Sequence, residues 1–250
     1  VLQPTIMTTV PRILNRIHGM VTAGVNAKGG ITKSLFEKAI RDKTYNLDHS
    51  NAFTHKFYDS IVFKKIRNVF GGKLRIMITA SAPIAGDVLT FFKLALGIHI
   101  YECYGQTEMG GPATLTLPQD PTACHVGGAI PTRRIRLRNV PQMGYFATDN
   151  PPRGELQYYG TNIFTGYFKN KEKTAEAFTE DGWLCSGDVA IIYPNGSVKI
   201  IDRAKNIFNF IRRSILFHRN RFDIRLRSYF TNCVFQPCLT RACNIPLNIM

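Results

Sequence analysis

The chain has 250 residues, of which 44% are hydrophobic, and this is enough for a packed core in one large domain or two small ones. The six cysteines form neither a CxxC pair nor a dense framework, which argues against a zinc module or a small secreted scaffold and indicates a reducing, intracellular compartment. No apolar run approaches the roughly 20 residues of a transmembrane helix, and no signal peptide is visible.

The net charge of +15 is unevenly distributed. Nucleic acids, anionic membranes and acidic substrates are the general partners of such a chain. Residues 204–250 hold eight basic residues and one acidic residue, so under a fifth of the chain carries almost half of the charge. The amino-acid composition therefore changes near residue 204, and we expect the residues that follow to differ in character from those before.

Residues 4–48 are predicted to be helical. Pro11 lies near the start of the first helix, where its missing N–H has no consequence. Residues 34–40 repeat the apolar spacing of an amphipathic helix, and Gly29 and Gly30 separate the two helices.

Residues 74–105 show the most regular pattern. Residues 74–79 predict a strand, Gly86 and Asp87 begin a helix that Gly97 ends, and residues 98–101 predict a second strand. A strand, helix and strand with short connections imply a parallel pair with a right-handed crossover.

Ligands of parallel sheets bind beyond the carboxyl ends of the strands. The two loops predicted at those ends are residues 80–83 and 103–108. From residue 125 onward, short strands and turns replace this pattern: strands are predicted at 134–138 and 154–159, and a hairpin at 189–201. The fold class is therefore α/β, with a parallel unit followed by an antiparallel, barrel-like subdomain.

The segment YECYGQTEMG, residues 101–110, combines groups that suit a nucleotide. Gly105 lets a ligand approach the backbone, and Tyr104 can stack on a base. Thr107 can bind a phosphate oxygen, and Glu108 can hold a hard cation such as Mg²⁺. The alternative interpretation is a polar turn after a strand.

Four further segments accompany it: GGKLRIMITASAPI (71–84), GELQYYGTNIFTGYF (154–168), DGWLCSGDVA (181–190) and GSVKIIDRAKNIF (196–208). In this order and spacing, the five segments resemble the core motifs of the adenylate-forming superfamily. Four others resemble its long-chain acyl-CoA synthetase branch: PTIMTTVPRILNRIHGMV (4–21), VLTFFKLALG (88–97), HVGGAIP (125–131) and KTAEAFTEDGWLCSGD (173–188). The resemblance covers residues 1–208.

The resemblance implies a division of the chain. Residues 1–124 would form part of the α/β subdomain, residues 125–203 the antiparallel subdomain, and residues 204–208 the hinge. The family's upstream phosphate loop and its C-terminal domain are not found, and the chain begins without Met, so we expect a fragment with little or no ligase activity. We interpret residues 209–250 as a sequence error, with a real basic tail as the alternative.

The resemblance also assigns the site residues. The segment that would lie against adenine and the start of the acyl tunnel is Ala80, Ser81, Ala82 and Pro83. The loop that would hold the nucleotide is Tyr104, Gly105, Gln106, Thr107 and Glu108. Tyr104 would stack on adenine, Thr107 would contact the α-phosphate, and Glu108 would bind Mg²⁺. Thr107, Glu108 and Arg203 are the implied catalytic residues.

Three more assignments come from the last two motifs. Asp188 would bind the ribose, because a carboxylate can accept from two adjacent hydroxyls. Arg203 would contact the ribose and the phosphate, and Asp202 and Lys205 would belong to the hinge. Trp183 is interpreted as a core anchor and His125 as a packing or surface residue.

The implied activity is ATP-dependent activation of a long-chain fatty acid to the acyl-adenylate and then to the acyl-CoA. ATP, Mg²⁺ and coenzyme A are the implied cofactors and co-substrates. Nucleic acid is not expected as a partner of the family, while peripheral association with a membrane, such as the cytoplasmic face of the endoplasmic reticulum, is left open. Two alternatives remain: a ligase for another carboxylic acid, and a truncated, non-catalytic product whose basic tail binds nucleic acid or membrane.

Overall fold

The computed structural model describes residues 2–118, 120 and 122–203. This part of the chain forms two sheets with helices, which confirms the α/β class and the parallel unit followed by antiparallel strands. The strands of the first sheet are β1 (Ile6–Thr9), β2 (Ile76–Thr79), β3 (His99–Gln106), β4 (Gly111–Leu115) and β5 (Gly128–Ala129), and those of the second are β6 (Arg133–Arg138), β7 (Arg153–Gly160), β8 (Leu184–Ile192) and β9 (Val198–Arg203).

The first sheet has the order β1-β2-β3-β4-β5. Strands β1, β2 and β3 run parallel, and β4 and β5 add antiparallel to that edge. The helix α5 (Gly86–Leu96) connects β2 to β3, and Gly97 ends it in the left-handed conformation, as the sequence predicts. The predicted strand–helix–strand unit is confirmed.

The N-terminal helices are α1 (Pro11–Lys28), α2 (Gly30–Ser50), α3 (Lys56–Ile61) and α4 (Lys64–Val69). Pro11 is at the start of α1, and Gly29, with φ of 56°, separates α1 from α2 as predicted. The helical prediction is wrong for Ile6–Thr9, which form β1. These residues pair with Ile76–Thr79, about 70 positions along the chain, so tertiary pairing overrides the local pattern.

The helices cover one face of the first sheet. Met77 and Ile100 of the sheet share a buried cluster with Leu89 and Phe92 of α5 and Leu14 of α1. Since this cluster lies beneath the strands, it fixes where the carboxyl ends of β2 and β3 stand.

The second sheet has the order β6-β7-β8-β9, and each neighbouring pair is antiparallel. The short helix α6 (Lys171–Ala177) lies between β7 and β8. A hairpin turn with Gly196 at positive φ joins β8 to β9, as predicted. Two backbone bonds join β9 to the segment just before β5: Val126 N–H donates to Val198 O (2.8 Å), and Val198 N–H donates to Gly127 O (2.8 Å).

In the part of the chain that the structure describes, no helix has both the length and the apolar character needed to cross a bilayer.

Candidate functional site

A cavity of about 840 Å³ lies at the carboxyl ends of β2 and β3. Residues of β8 and β9 from the second sheet complete its lining. Its volume falls within the range of small-molecule sites. The residues that line it are Ala80, Ser81, Cys103, Gly105, Gln106, Thr107, Glu108, Gly111, Pro112, Ser186, Gly187, Asp188 and Arg203. Both sheets therefore supply side chains to one concave surface.

The loop after β2 supplies Ala80 and Ser81. Ser81 has φ of 75°, a left-handed conformation that costs a residue with a side chain roughly 1–2 kcal/mol. Such backbone strain is concentrated at functional sites. The predicted neighbours Ala82 and Pro83 are exposed and are not among the residues that line the cavity.

Strand β3 runs as far as Gln106, so most of the segment predicted as a loop at residues 103–108 is strand. Its pairing with β4 shifts register between Tyr104 and Gly105. A Cβ atom at Gly105 would stand 2.9 Å from Pro112 Cα, and closer still to the carbonyl oxygen of Gly111. Gly105 lines the cavity as predicted, but its missing side chain is what lets β4 approach.

Asp188 is the buried carboxylate of the site, with 4% of its surface exposed. Its Oδ2 accepts hydrogen bonds from the Tyr104 hydroxyl and from Gln106 Nε2 (3.0 Å), and its Oδ1 accepts from Arg203 Nε (3.2 Å). Its own N–H donates to Ser186 Oγ (3.0 Å). These contacts hold the carboxylate in a fixed position at the cavity wall.

Tyr104 stands behind Asp188 and is not one of the residues that line the cavity. Its ring is nearly parallel to that of Tyr158, with 6.2 Å between centroids. Burial, followed by the neighbouring charge of Asp188, raises the pKa of the Tyr104 phenol well above its usual range, so the hydroxyl stays a donor. The structure thus brings Tyr104 to Asp188.

Gln106 ties β3 to β8. Its Nε2 donates to the carbonyl oxygen of Ser186 (2.8 Å) as well as to Asp188. Because the side-chain amide spans the two sheets, it fixes the spacing between Thr107 and Asp188 across the cavity.

Thr107 and Glu108 lie in the 3₁₀ turn Thr107–Met109, which follows β3 and ends at Gly110 with φ of 64°. Both residues line the cavity. Glu108 is held by its carbonyl, which accepts from Phe164 N–H (2.9 Å), and by its Oε1, which accepts from the Tyr167 hydroxyl (2.7 Å).

Arg203 reaches Asp188 from β9, and its side chain is 69% exposed. An ion pair this exposed contributes little to stability, so the arginine is able to change partner at low cost. Asp202 is exposed and accepts from the N–H of Arg203 (2.6 Å). The predicted hinge residue Lys205 lies outside the described residues.

Sequence reasoning missed several lining residues, namely Gly111, Pro112, Ser186 and Gly187. Cys103 lies within the predicted segment 103–108 but was given no role of its own. Ser186 could have been found, because it lies two positions before Asp188 on β8 and the side-chain period of a strand is two. Arg133 of β6 was also missed. It is 5% exposed and donates to the carbonyl oxygen of Met109, and this bond anchors the 3₁₀ turn Thr107–Met109 to β6.

The cavity offers only part of a divalent cation site. Among the described residues, no three His, Cys, Asp or Glu side chains come together as a complete metal site. Glu108 supplies one carboxylate to the cavity. Mg²⁺ is commonly held by one or two carboxylates together with substrate phosphates, so this donor set fits a cation that enters with a phosphate ligand.

Comparison with known proteins identifies the family. The model of the AMP-binding enzyme family matches residues 1–168. Long-chain-fatty-acid–CoA ligase 5 of Mus musculus is 44% identical over 207 residues, which cover 83% of this chain and 30% of that protein. Long-chain-fatty-acid–CoA ligase 1 of Homo sapiens is 39% identical over 228 residues, which cover 91% of this chain and 32% of that protein.

A solved structure agrees with this match. The A-PCP didomain of carboxylic acid reductase from Segniliparus rugosus, in complex with AMP, aligns with a TM-score of 0.62 at 28% identity. The alignment covers 82% of this chain and 24% of that one, and this chain spans about a third of the length of the two ligases. Because the family model matches about two thirds of the length of this chain, the chain belongs to the AMP-binding enzyme family.

Proposed function

We propose that the cavity binds the AMP portion of ATP during ATP-dependent activation of a long-chain fatty acid, first to the acyl-adenylate and then to the acyl-CoA. The observation that carries the proposal is Asp188, a buried carboxylate that three donors orient at the wall of the cavity. A buried charge is costly unless it is paired, and this paired carboxylate also lines the cavity.

Asp188 suits the two adjacent hydroxyls of a ribose. A carboxylate offers about four acceptor positions, and Tyr104, Gln106 and Arg203 occupy three of them. One hydroxyl therefore takes the remaining position. The second requires Arg203 to release Oδ1, which its exposed side chain is able to do. Arg203 would then be available to the phosphate.

Thr107 and Glu108 face the same cavity and would serve the phosphates. The Thr107 hydroxyl would donate to an α-phosphate oxygen, and Glu108 would hold Mg²⁺ through its carboxylate. When bound, Mg²⁺ neutralises charge on the phosphate oxygens. Phosphoryl chemistry depends mainly on positioning and on neutralisation of charge, and this chain would supply the positioning.

Ala80 and Ser81 would face the adenine, because they line the cavity at the end of β2. Tyr104 would contribute to the adenine site as the family resemblance implies, and Ala82 and Pro83 would continue toward the acyl group. Asp202 and Lys205 remain predicted hinge residues, and the boundaries at 124/125 and 204–208 remain predictions.

The acid is proposed to be a long-chain fatty acid. This chain is 44% identical to a relative named for that substrate and 28% identical to the carboxylic acid reductase. Coenzyme A enters the proposal as the thiol substrate that attacks the acyl-adenylate. A ligase for another carboxylic acid is the alternative.

The test is calorimetric titration of the full chain with ATP and AMP in the presence of Mg²⁺. We expect Asp188→Asn to weaken binding of both nucleotides by roughly 10- to 100-fold, because a hydrogen bond to a charged group contributes about 1.5–3 kcal/mol. Asp149→Asn is the matched control: Asp149 accepts from Phe146 N–H (3.0 Å) in the turn before β7, and it does not line the cavity. Equal affinity in the two variants would contradict the proposal.

A further inference from the structure

The segment after β7 holds the turn that carries Glu108. The Tyr167 hydroxyl donates to Glu108 Oε1 (2.7 Å), and Phe164 N–H donates to the carbonyl oxygen of Glu108 (2.9 Å). The turn follows β3 of the first sheet, and the segment follows β7 of the second. Tyr167, 59 positions along the chain from Glu108, therefore holds its carboxylate.

Tyr167 is itself fixed in place. Its N–H donates to Thr174 Oγ1 (2.9 Å), and its ring meets Phe164 edge to face, with 4.9 Å between centroids. Phe164 in turn stacks on Phe178, with 5.5 Å between centroids. A Cβ atom at Gly166, where φ is 149°, would stand 2.6 Å from Thr174 Cγ2, so glycine permits this close approach. The phenol is thus presented to Glu108 by a packed support.

A glutamate that only lines a cavity has several rotamers to choose from, and ordering it on ligand binding costs conformational entropy. A carboxylate has two oxygens, and the bond from Tyr167 engages one of them. The other oxygen stays available while the side chain is held in one orientation. Pre-organisation of this kind raises affinity because the ordering has already taken place.

We propose that Tyr167 is a positioning residue, which orients the Glu108 carboxylate toward a divalent cation that arrives with the phosphates of the nucleotide. The inference rests on the proposed function, because it requires that nucleotide and cation enter this cavity. Glu108 would be the residue that touches the cation, and Tyr167 would act through Glu108.

The experiment measures ATP affinity of the full chain by calorimetry, once with saturating Mg²⁺ and once with EDTA. We expect Tyr167→Phe to weaken ATP binding about 3- to 10-fold with Mg²⁺, the effect of one lost hydrogen bond, and to leave binding in EDTA unchanged. Tyr159→Phe is the matched control, since Tyr159 is 46% exposed on the second sheet and packs by Trp183 rather than by Glu108.

A double-mutant cycle separates positioning from a general structural effect. Glu108→Gln should remove the Mg²⁺ dependence, and adding Tyr167→Phe to it should change ATP affinity by less than about 2-fold. The affinity for Mn²⁺ with ATP present can be measured from the relaxation of water protons during a titration with Mn²⁺. The unsubstituted chain and the variants should rank in the same order in this assay as in calorimetry.

Three outcomes would overturn the inference. An ATP affinity with Mg²⁺ that is the same in Tyr167→Phe as in the unsubstituted chain would overturn it alone, and so would an equal loss of affinity with Mg²⁺ and with EDTA. An unsubstituted chain that binds no ATP under either condition would overturn the proposed function, and this inference with it.

Discussion

Gly105→Ala adds one methyl group at a point where β3 lies directly against β4. A Cβ atom there would stand 2.9 Å from Pro112 Cα and 3.0 Å from the carbonyl carbon of Gly111, and closer still to the Gly111 oxygen. Cβ atoms in proteins essentially never approach other heavy atoms within 3.0 Å. Because these neighbours are backbone atoms, β3 and β4 must separate.

The cost comes from contact and not from dihedral strain, since Gly105 does not have a positive φ. Overpacking of this kind costs about 1–3 kcal/mol, and rigid backbone neighbours place the substitution toward the upper end. The same displacement moves Gln106, whose amide bonds to Asp188 and to the Ser186 carbonyl. We therefore expect weaker nucleotide binding as well as lower stability.

Urea unfolding followed by far-ultraviolet circular dichroism measures the change in the free energy of unfolding. Gly24→Ala is the matched control, because Gly24 lies inside α1 and a Cβ atom there would meet nothing within 4 Å. That substitution should stabilise the chain by about 0.5–1 kcal/mol. If Gly105→Ala were as stable as Gly24→Ala, the account of the close approach of β4 would be refuted.

Three further predictions concern buried or strained groups. Burial raises the pKa of Glu102 to about 7, so its contribution to stability is fully present below pH 4.5 and is lost as the pH rises through 7. Urea unfolding at pH 5 and at pH 8 should therefore differ by about 2.5 kcal/mol through this group, and Glu102→Gln should remove that difference. Lys43 is fully buried and donates to Asp59 and to the carbonyl oxygen of Leu94. Lys43→Met should therefore lower the free energy of unfolding, measured in urea, by about 3 kcal/mol. A decrease of less than about 1 kcal/mol would contradict this. Ser81→Gly should relieve left-handed strain and raise the free energy of unfolding by up to about 1 kcal/mol, whereas Ser81→Val should lower it; the opposite order would show that the strain is absent.

Much of the fold follows from local pattern. The helical spacing of apolar residues, together with the glycines at 29 and 97, places α1, α2 and α5 correctly. The short strand β1 could not be predicted, because four residues carry little periodicity and their partner β2 lies about 70 positions away. The core assignment of Trp183 is wrong: it is half-buried, outside the core, beneath the guanidinium of Arg136 at 4.4 Å.

The site was predictable in outline but not in detail. Motif order alone identifies Ser81, Glu108 and Asp188, and the structure places all three on one cavity although they span more than 100 positions. The contact of Tyr104 with Asp188 depends on how β8 lies beside β3, and no local pattern encodes that distance. The support of Glu108 by Tyr167 depends on the same tertiary arrangement.

We propose above all that the cavity between β2, β3 and β8 binds an adenine nucleotide. Photolabelling of the full chain with 8-azido-AMP, followed by peptide mapping, tests it most directly. Label should be found in peptides that contain Ala80–Ser81, Cys103–Glu108 or Ser186–Asp188, and excess AMP should prevent labelling. Labelling that excess AMP does not prevent, or that falls only on peptides outside the residues that line the cavity, would contradict the account.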